Sequence, residues 1–185
     1  MSLKLRAHKS SINPVLTASS TFRKYYRSTG ICFNLRNSPQ TTYMIPFSIL
    51  LESATLSPVR EMRIIIHPLH RVRLVVDLRD VNYITVGHLM SMVHQYLRQC
   101  VTWKEWGNLS VYEQNRVAGA FFDRCGLSSH PSYDVRRGVR RIDLLCSDIY
   151  FCGLVPDKAR KGTWKMILGR PWCVSFSVFL RLNGC

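Results

Sequence analysis

Residues 82–126 read NYITVGHLMSMVHQYLRQCVTWKEWGNLSVYEQNRVAGAFFDRCG and carry the clearest hydrophobic periodicity of the chain. Apolar residues recur there in steps of three and four, which places them on one face of a helix. These residues are Val86, Leu89, Met90, Val93, Leu97 and Val101. Thr85 precedes them and is a suitable N-cap, because its hydroxyl oxygen accepts a hydrogen bond from a free amide of the first turn. The stretch therefore predicts an amphipathic helix directly after Thr85.

Two further helix starts follow in the same stretch. Thr102 is followed three residues later by Glu105, and Ser110 by Glu113, so that both pairs fit a capping box. After the second box, apolar residues lie along one side of a helix: Val117, Ala118, Phe121, Phe122 and Cys125. Gly126 then stands where a left-handed helix end favours glycine.

Short apolar runs on both sides of this block are typical of strands. Residues 61–66 and 71–77 are rich in β-branched side chains and predict a hairpin, with residues 67–70 as its turn. We expect further strands at 31–35, 139–145, 149–155 and 163–168, an extended segment at 43–51 and a loop at 127–138. Strands, then helices, then strands predict an α+β fold, a mostly antiparallel sheet with two or three amphipathic helices packed on one face.

The length and composition favour a single folded unit. The chain has 185 residues, of which 46% are hydrophobic, and this is enough for one sizeable core. We expect a basic and disordered tail over residues 1–29, one domain over residues 30–169 and a C-terminal extension over residues 170–185.

The charge of the chain is strongly positive. The formal net charge is +15, from 26 Lys and Arg against 11 Asp and Glu. Residues 1–51 hold seven of these basic residues and no acid. Such an excess favours acidic partners, namely RNA, DNA or an anionic membrane surface. The acid-free N-terminal part also has the composition of a mitochondrial transit peptide.

The cysteines and the hydropathy pattern predict an intracellular protein. The seven cysteines form no tight framework, and the start of the chain lacks a secretory signal pattern. We interpret them as reduced thiols, with Cys100 and Cys125 as core residues. No apolar run approaches the roughly 20 residues of a membrane span. The predicted location is the cytoplasm or the nucleus, with mitochondria as the alternative.

No familiar catalytic or metal-binding motif is present in the sequence. Phosphate-binding glycine loops, nucleophile elbows and zinc signatures are missing. His67 and His70 are close enough to share a metal, but two histidines without a third ligand favour a surface turn. Asp143 lies in an apolar run after two arginines, which indicates a buried carboxylate paired with an Arg. We therefore predict no catalytic residue, no cofactor and no metal ligand.

The basic residues that cluster most closely are candidates for phosphate contacts. Four guanidinium groups surround the predicted turn at Gly138, and a basic loop follows at residues 156–162. The candidate nucleic-acid-binding residues are Arg136, Arg137, Arg140, Arg141, Lys158, Arg160 and Lys161. Because no aromatic side chains alternate with this cluster, a solvated strand end is the competing interpretation.

Several short motifs, taken in order, resemble a known family. They are Thr85-Val86, Val101-Thr102, Phe122-Asp123-Arg124, residues 140–145, Phe151-Cys152-Gly153-Leu154 and residues 164–168. Their order and spacing are similar to those of domain of unknown function 6699, a family abundant in mushroom-forming fungi. The resemblance covers residues 31–168 and implies an α+β domain and a fungal origin. It implies no activity, substrate or catalytic residue.

Three hypotheses about function remain after these observations. The first is a non-catalytic intracellular interaction module with an unknown protein partner, which requires an exposed binding patch. The second is a basic nucleic-acid-binding domain, which requires the basic cluster, the basic loop and the N-terminal arm to converge on one face. The third is an enzyme of unrecognised type, which requires a pocket with at least two titratable groups. The oligomeric state is not predicted.

Overall fold

A computed structural model describes residues 11–18, 31, 33–39, 45–66, 73–77 and 82–170, with 73–77 described as backbone only. Its strands are β1 (Phe33–Asn34), β2 (Glu61–Ile66), β3 (Arg73–Asp77), β4 (Tyr150–Pro156) and β5 (Thr163–Gly169). Its α-helices are α1 (Phe47–Leu51), α2 (Val86–Leu97), α3 (Trp103–Gly107), α4 (Val111–Gly126) and α5 (Pro131–Arg136). The predicted turn with His67 and His70 and nearly all of the predicted extension over residues 170–185 lie outside the described residues.

The five strands form one mixed sheet in the order β1-β4-β5-β2-β3. Three of its four pairings are antiparallel, and β2 with β5 is the parallel pairing. Alternate residues of β2 are buried at its start, as expected for a strand with one face on the core. Phe33 and Phe151 are fully buried opposite each other in β1 and β4. The predicted α+β class with a mostly antiparallel sheet is confirmed.

Helices α2, α3 and α4 start where the capping residues predict. The hydroxyl oxygens of Thr85, Thr102 and Ser110 each accept a hydrogen bond from the backbone N–H three residues later. In α3 and α4 the carboxylates of Glu105 and Glu113 complete the capping boxes by accepting from the cap residues' own N–H groups. Helix α2 buries the predicted apolar face against the core. No helix within the described ranges is long and apolar enough to cross a membrane.

The orientation and end of α4 differ from the prediction. Its buried residues are Val117, Ala120, Phe121, Arg124 and Cys125, whereas the side chain of Phe122 is 63% exposed. The helix is therefore rotated away from the predicted face, and an arginine lies on its buried side. Gly126 is helical rather than left-handed, and the helix is capped by Leu127 in a right-handed conformation.

Three segments have a secondary structure different from the predicted one. The predicted strand over residues 139–145 contains a 3-10 helix, Arg141–Leu145, because the carboxylate of Asp143 accepts from the backbone N–H of Arg140 and closes the turn. The predicted loop over residues 127–138 contains α5, which starts with a proline at its first position. The predicted extended segment over residues 43–51 ends in α1, with Pro46 as its N-cap.

Residues 11–18, which lie within the predicted tail over residues 1–29, contact the hydrophobic core and the sheet. Leu16 is fully buried, and Ile12 is nearly so. The backbone N–H of Ala18 donates to the carbonyl of Leu154 at 3.2 Å, so the segment lies along β4 beside β1. Apolar burial of this kind stabilises an N-terminal segment that composition alone marks as disordered.

Candidate functional site

Arg136 and Arg137 lie at the exposed end of α5. The guanidinium of Arg137 lies 5.6 Å from the centre of the Tyr133 ring and donates to its hydroxyl oxygen at 3.1 Å. Arg136 Nε donates to the carbonyl of Ser132 at 3.3 Å. Both guanidinium groups therefore contact neutral groups and keep an exposed positive charge.

Arg140 and Arg141 are held inside the domain instead. Arg140 is 5% exposed, and its Nη2 lies 2.5 Å from Oδ1 of Asp134. Arg141 Nε donates to Oε1 of Glu105 at 3.0 Å, and its guanidinium stacks on the Tyr96 ring at 4.5 Å. Two of the four arginines of the predicted cluster thus serve internal ion pairs.

Lys158, Arg160 and Lys161 are exposed in the turn between β4 and β5. The opposite end of β4 lies beside residues 34–35, because Asn34 is paired with Tyr150. Seven residues of strand separate the two ends by about 20 Å. The structure therefore does not bring the turn lysines together with the arginines near residue 140, and the N-terminal arm outside residues 11–18 is not among the described residues.

A cleft of about 470 Å³ is formed where β1, α2, α4 and α5 meet. We call it the arginine cleft. It is lined by residues 34–37, 97–98, 124, 127–130, 133–134, 140 and 142. Its size falls within the range of about 300–1,000 Å³ that is common for small-molecule sites. Four of its lining residues are arginines, namely Arg36, Arg98, Arg124 and Arg140.

Arg124 of the cleft forms an ion pair that joins α4 to the 3-10 helix. Arg124 Nε donates to Oδ1 of Asp143 at 2.7 Å, and Arg124 Nη2 donates to Oδ2 at 2.9 Å. The same Nη2 also donates to the carbonyl of Gly138 at 3.2 Å. The hydrogen bonds that Arg124 donates to the Asp143 carboxylate are the main cause that raises the pKa of Arg124, so this guanidinium stays charged. The predicted pairing of a buried Asp143 with an arginine is confirmed, with Arg124 as the partner.

Asp134 of α5 is the carboxylate on the wall of the cleft. Its Oδ2 accepts from the Ser128 hydroxyl at 2.6 Å, and its Oδ1 lies 2.5 Å from Arg140 Nη2 and 3.8 Å from Arg124 Nη1. The hydrogen bond from Ser128 is the main cause that lowers the pKa of Asp134, and the two arginines lower it further. Both oxygens of this carboxylate are therefore engaged.

Three arginines of the cleft each have a buried nitrogen without a hydrogen-bond partner among the described residues. These atoms are Arg36 Nε, Arg124 Nη1 and Arg140 Nε. A buried donor that lacks an acceptor costs about 1–3 kcal/mol. Burial lowers the pKa of Arg140, and the neighbouring charge of Arg124 lowers it further. The cleft thus contains more positive charge and more donors than its own carboxylates satisfy.

The sequence prediction included Arg140 but missed the other arginines of the cleft. Arg36 follows β1, Arg98 caps α2 and Arg124 lies in α4. Any two of these three arginines are at least 26 residues apart in the sequence. A sequence cluster cannot show such a site, because tertiary packing brings its residues together. The available indication was Arg124, whose spacing from Val117 and Phe121 places a charge on the apolar face of a helix.

The predicted cysteine roles are confirmed in part. Cys125 is buried, as expected for a core residue, but Cys100 is exposed and its thiol donates to the Arg137 carbonyl at 3.4 Å. Cys100, Cys125 and Cys146 form no disulfide bond.

Comparison with known proteins gives one family match. The family described as "Family of unknown function (DUF6699)" matches residues 31–162, a range that contains every residue of the arginine cleft. No curated protein and no solved structure matches the chain. Because the match spans more than half of the 185 residues, this chain belongs to the DUF6699 family of unknown function.

Proposed function

We propose that this protein is a non-catalytic binding module that recognises an anionic group in the arginine cleft. The observation that carries the proposal is the set of four arginines, Arg36, Arg98, Arg124 and Arg140, around one cleft in which both oxygens of the lining carboxylate Asp134 are already engaged. A bound phosphate or carboxylate supplies oxygen acceptors and neutralises charge at once. Charge-assisted hydrogen bonds of this kind are stronger than neutral ones.

The engagement of the carboxylates favours binding over catalysis. A general base needs a lone pair within reach of the substrate. Asp143 accepts from Arg124 and from the backbone of Arg140, while Asp134 accepts from Ser128 and Arg140. The arginines keep their protons at neutral pH and therefore do not transfer them. We accordingly rank the enzyme hypothesis last.

The direct test is a titration of the full chain, labelled with ¹⁵N, with inorganic phosphate at constant ionic strength. We expect the Nε–H resonances of Arg36 and Arg140 to shift with saturation. Arg36→Gln should weaken phosphate binding about tenfold, because a charge-assisted hydrogen bond contributes about 1.5–3 kcal/mol. Arg98→Gln at the exposed rim should weaken it about threefold, as expected for a solvated charge.

Arg160→Gln is the matched control, because it removes the same charge from the exposed β4–β5 turn, away from the cleft. It should leave the phosphate affinity unchanged. If Arg160→Gln weakens binding as much as Arg36→Gln does, or if chloride shifts the same resonances equally, the protein has only a diffuse attraction for anions and the proposal fails. The backbone amide spectrum of each variant shows whether it is folded.

A nucleic-acid-binding domain is the second candidate function. The exposed guanidinium groups of Arg136 and Arg137 favour it, since both contact neutral oxygens and remain available to phosphates. The test is binding to a mixed RNA and DNA pool across a salt series. We expect the affinity to fall steeply with salt. The double variant Arg136→Ala with Arg137→Ala should reduce this salt dependence, whereas substitution of Lys158, Arg160 and Lys161 should leave it unchanged. This pair of results supports nucleic-acid binding on one face. Equal effects of both sets indicate non-specific charge attraction.

We further propose that the protein acts in the cytoplasm or the nucleus and that one domain includes residues 11–18 together with residues 31–170. The support for the location is the absence of disulfide bonds at Cys100, Cys125 and Cys146. The support for the boundary is the burial of Ile12 and Leu16 in the common core. Fractionation of cells that express the tagged chain tests the location, and limited proteolysis tests the boundary.

A further inference from the structure

We infer that the arginine cleft takes a phosphate monoester carried on a small apolar body. This inference rests on the proposed function, because it names the chemistry of the anion that the cleft binds. Two observations carry it. They are the excess charge of the cleft and the apolar side chains that share its wall with the arginines.

The charge of the cleft matches a dianion better than a monoanion. Four guanidinium groups line it, while Asp134 on the wall and Asp143 beneath Arg124 supply two carboxylates. An excess of two positive charges remains. A phosphate monoester carries about −1.5 to −2 at pH 7, whereas a carboxylate carries a single charge. A phosphate also has three terminal oxygens that accept from several arginines at once.

The size of the cleft exceeds what a phosphate group fills. A volume of 470 Å³ corresponds to about sixteen water molecules at roughly 30 Å³ each. Inorganic phosphate has five heavy atoms and would leave most of this space to solvent. The cleft therefore has room for a further part of the ligand beside the phosphate.

Two side chains of the wall, Leu127 and Tyr133, offer apolar surface to this further part. Leu35, Leu97 and Ile142 also line the cleft but are buried, and the remaining lining residues are polar or charged. Leu127 is 80% exposed and Tyr133 is 56% exposed, so both offer apolar surface that a ligand can cover. Burial of such surface contributes about 25 cal/mol per Å². An aromatic or short aliphatic phosphate ester combines the negative charge that the arginines favour with apolar surface that Leu127 and Tyr133 can contact.

The experiment measures the affinity of the full chain for inorganic phosphate, phenyl phosphate and benzoate by calorimetry at pH 7.5. We expect phenyl phosphate to bind at least tenfold more tightly than inorganic phosphate and than benzoate. Leu127→Ser should remove most of the advantage of phenyl phosphate over inorganic phosphate, measured as the ratio of the two affinities in the same variant. This leucine is exposed at the cap of α4, so its substitution does not open the core.

The outcomes separate this inference from the proposed function. If phosphate and phenyl phosphate bind equally, the inference is overturned and the anion-binding function stands. If benzoate equals phenyl phosphate, the assignment to a phosphate is overturned. If none of the three binds, the proposed function itself fails. When phenyl phosphate binds as expected, the affinity for a phosphotyrosine peptide is measured next. If the peptide binds more tightly than phenyl phosphate, the ester belongs to a partner protein. If the peptide binds less tightly, the ester belongs to a free small molecule.

Discussion

Arg124 and Asp143 form a two-point ion pair between the last turn of α4 and the 3-10 helix. Arg124 Nε lies 2.7 Å from Oδ1 and Nη2 lies 2.9 Å from Oδ2, and the Asp143 side chain is completely buried. The backbone N–H of Arg140 also donates to Oδ2 at 2.8 Å. One carboxylate therefore joins the end of α4 to the start of the 3-10 helix and fixes the position of Arg124 in the arginine cleft.

Removal of one partner of this ion pair should be strongly destabilising. We expect Asp143→Ala to lower the free energy of unfolding by about 3–5 kcal/mol, because the Arg124 guanidinium is left buried without its counter-ion. Urea denaturation followed by circular dichroism measures the loss. The double variant Arg124→Met with Asp143→Ala should recover part of it, since no unpaired charge remains. A loss below about 1 kcal/mol for Asp143→Ala would contradict the role of this pair.

Gly153 permits the close approach of residues 11–18 to β4. Its φ is +121°, and a Cβ at this position would lie 2.5 Å from the backbone nitrogen of Ala18. We expect Gly153→Ala to lower the free energy of unfolding by about 3 kcal/mol, from backbone strain together with the steric clash. Thermal and urea unfolding measure this change.

Gly162 is the matched control for Gly153. Its φ is +73°, but a Cβ there meets no atom within 4 Å. Gly162→Ala should therefore cost about 1–2 kcal/mol, the strain of a left-handed residue alone. If both substitutions cost the same, the contact between β4 and residues 17–18 does not constrain position 153.

Cys146 has a backbone conformation that normally requires glycine. It lies in a turn in which the backbone N–H of Asp148 donates to the Leu145 carbonyl at 2.9 Å, and its φ and ψ are 51° and −114°. This is the first central position of a type II′ turn, where glycine dominates. We expect Cys146→Gly to be more stable than Cys146→Ala by about 1 kcal/mol. Urea unfolding of the two variants measures the difference in their free energies of unfolding. If the alanine variant is as stable as the glycine variant or more stable, the backbone at position 146 is not strained.

Protonation of His94 should destabilise the fold below neutral pH. Burial is the main cause that lowers the pKa of His94, and the charge of Arg98 lowers it further. The unfolded chain, with a histidine pKa of about 6.5, therefore binds the proton more readily. The stabilisation that comes from the neutral imidazole is fully present above about pH 6.5, the pKa in the unfolded chain. It is lost as the pH falls from about 6.5 to the lower pKa of His94 in the folded protein.

The pH dependence of His94 can be separated from that of the carboxylates. Glu105, Asp134 and Asp157 have lowered pKa values, so the stability they contribute is lost as the pH falls from the ordinary carboxylate pKa of about 4 toward their lower folded values. We expect the free energy of unfolding to decline between pH 7 and pH 5 in the parent chain and to decline less in His94→Gln. Equal slopes in urea titrations of both proteins would show that His94 does not cause the decline.

The sequence predicted the parts of the fold that depend on neighbouring residues. Thr85, Thr102 and Ser110 start helices through hydrogen bonds to residues only three positions away. The β-branched content of residues 61–66 likewise predicted β2, because strand preference follows from the local side chains. Residues 139–145 have the same apolar character but form a turn and a 3-10 helix, since Asp143 bonds to an arginine of another helix.

The amino-acid sequence by itself determined the starts of α2, α3 and α4, most strands, the α+β class and the positive charge of this protein. Only the tertiary structure decided which arginines are exposed to a binding partner and which are used in ion pairs inside the protein. Arg140 and Arg141 belong to one sequence cluster with Arg136 and Arg137, yet packing turns the first two into internal ion pairs. Arg36, Arg98 and Arg124 share a cleft with Arg140 although they are distant in sequence. The physical reason is that burial and ion pairing depend on the distances between elements, whereas capping and periodicity act within a few residues.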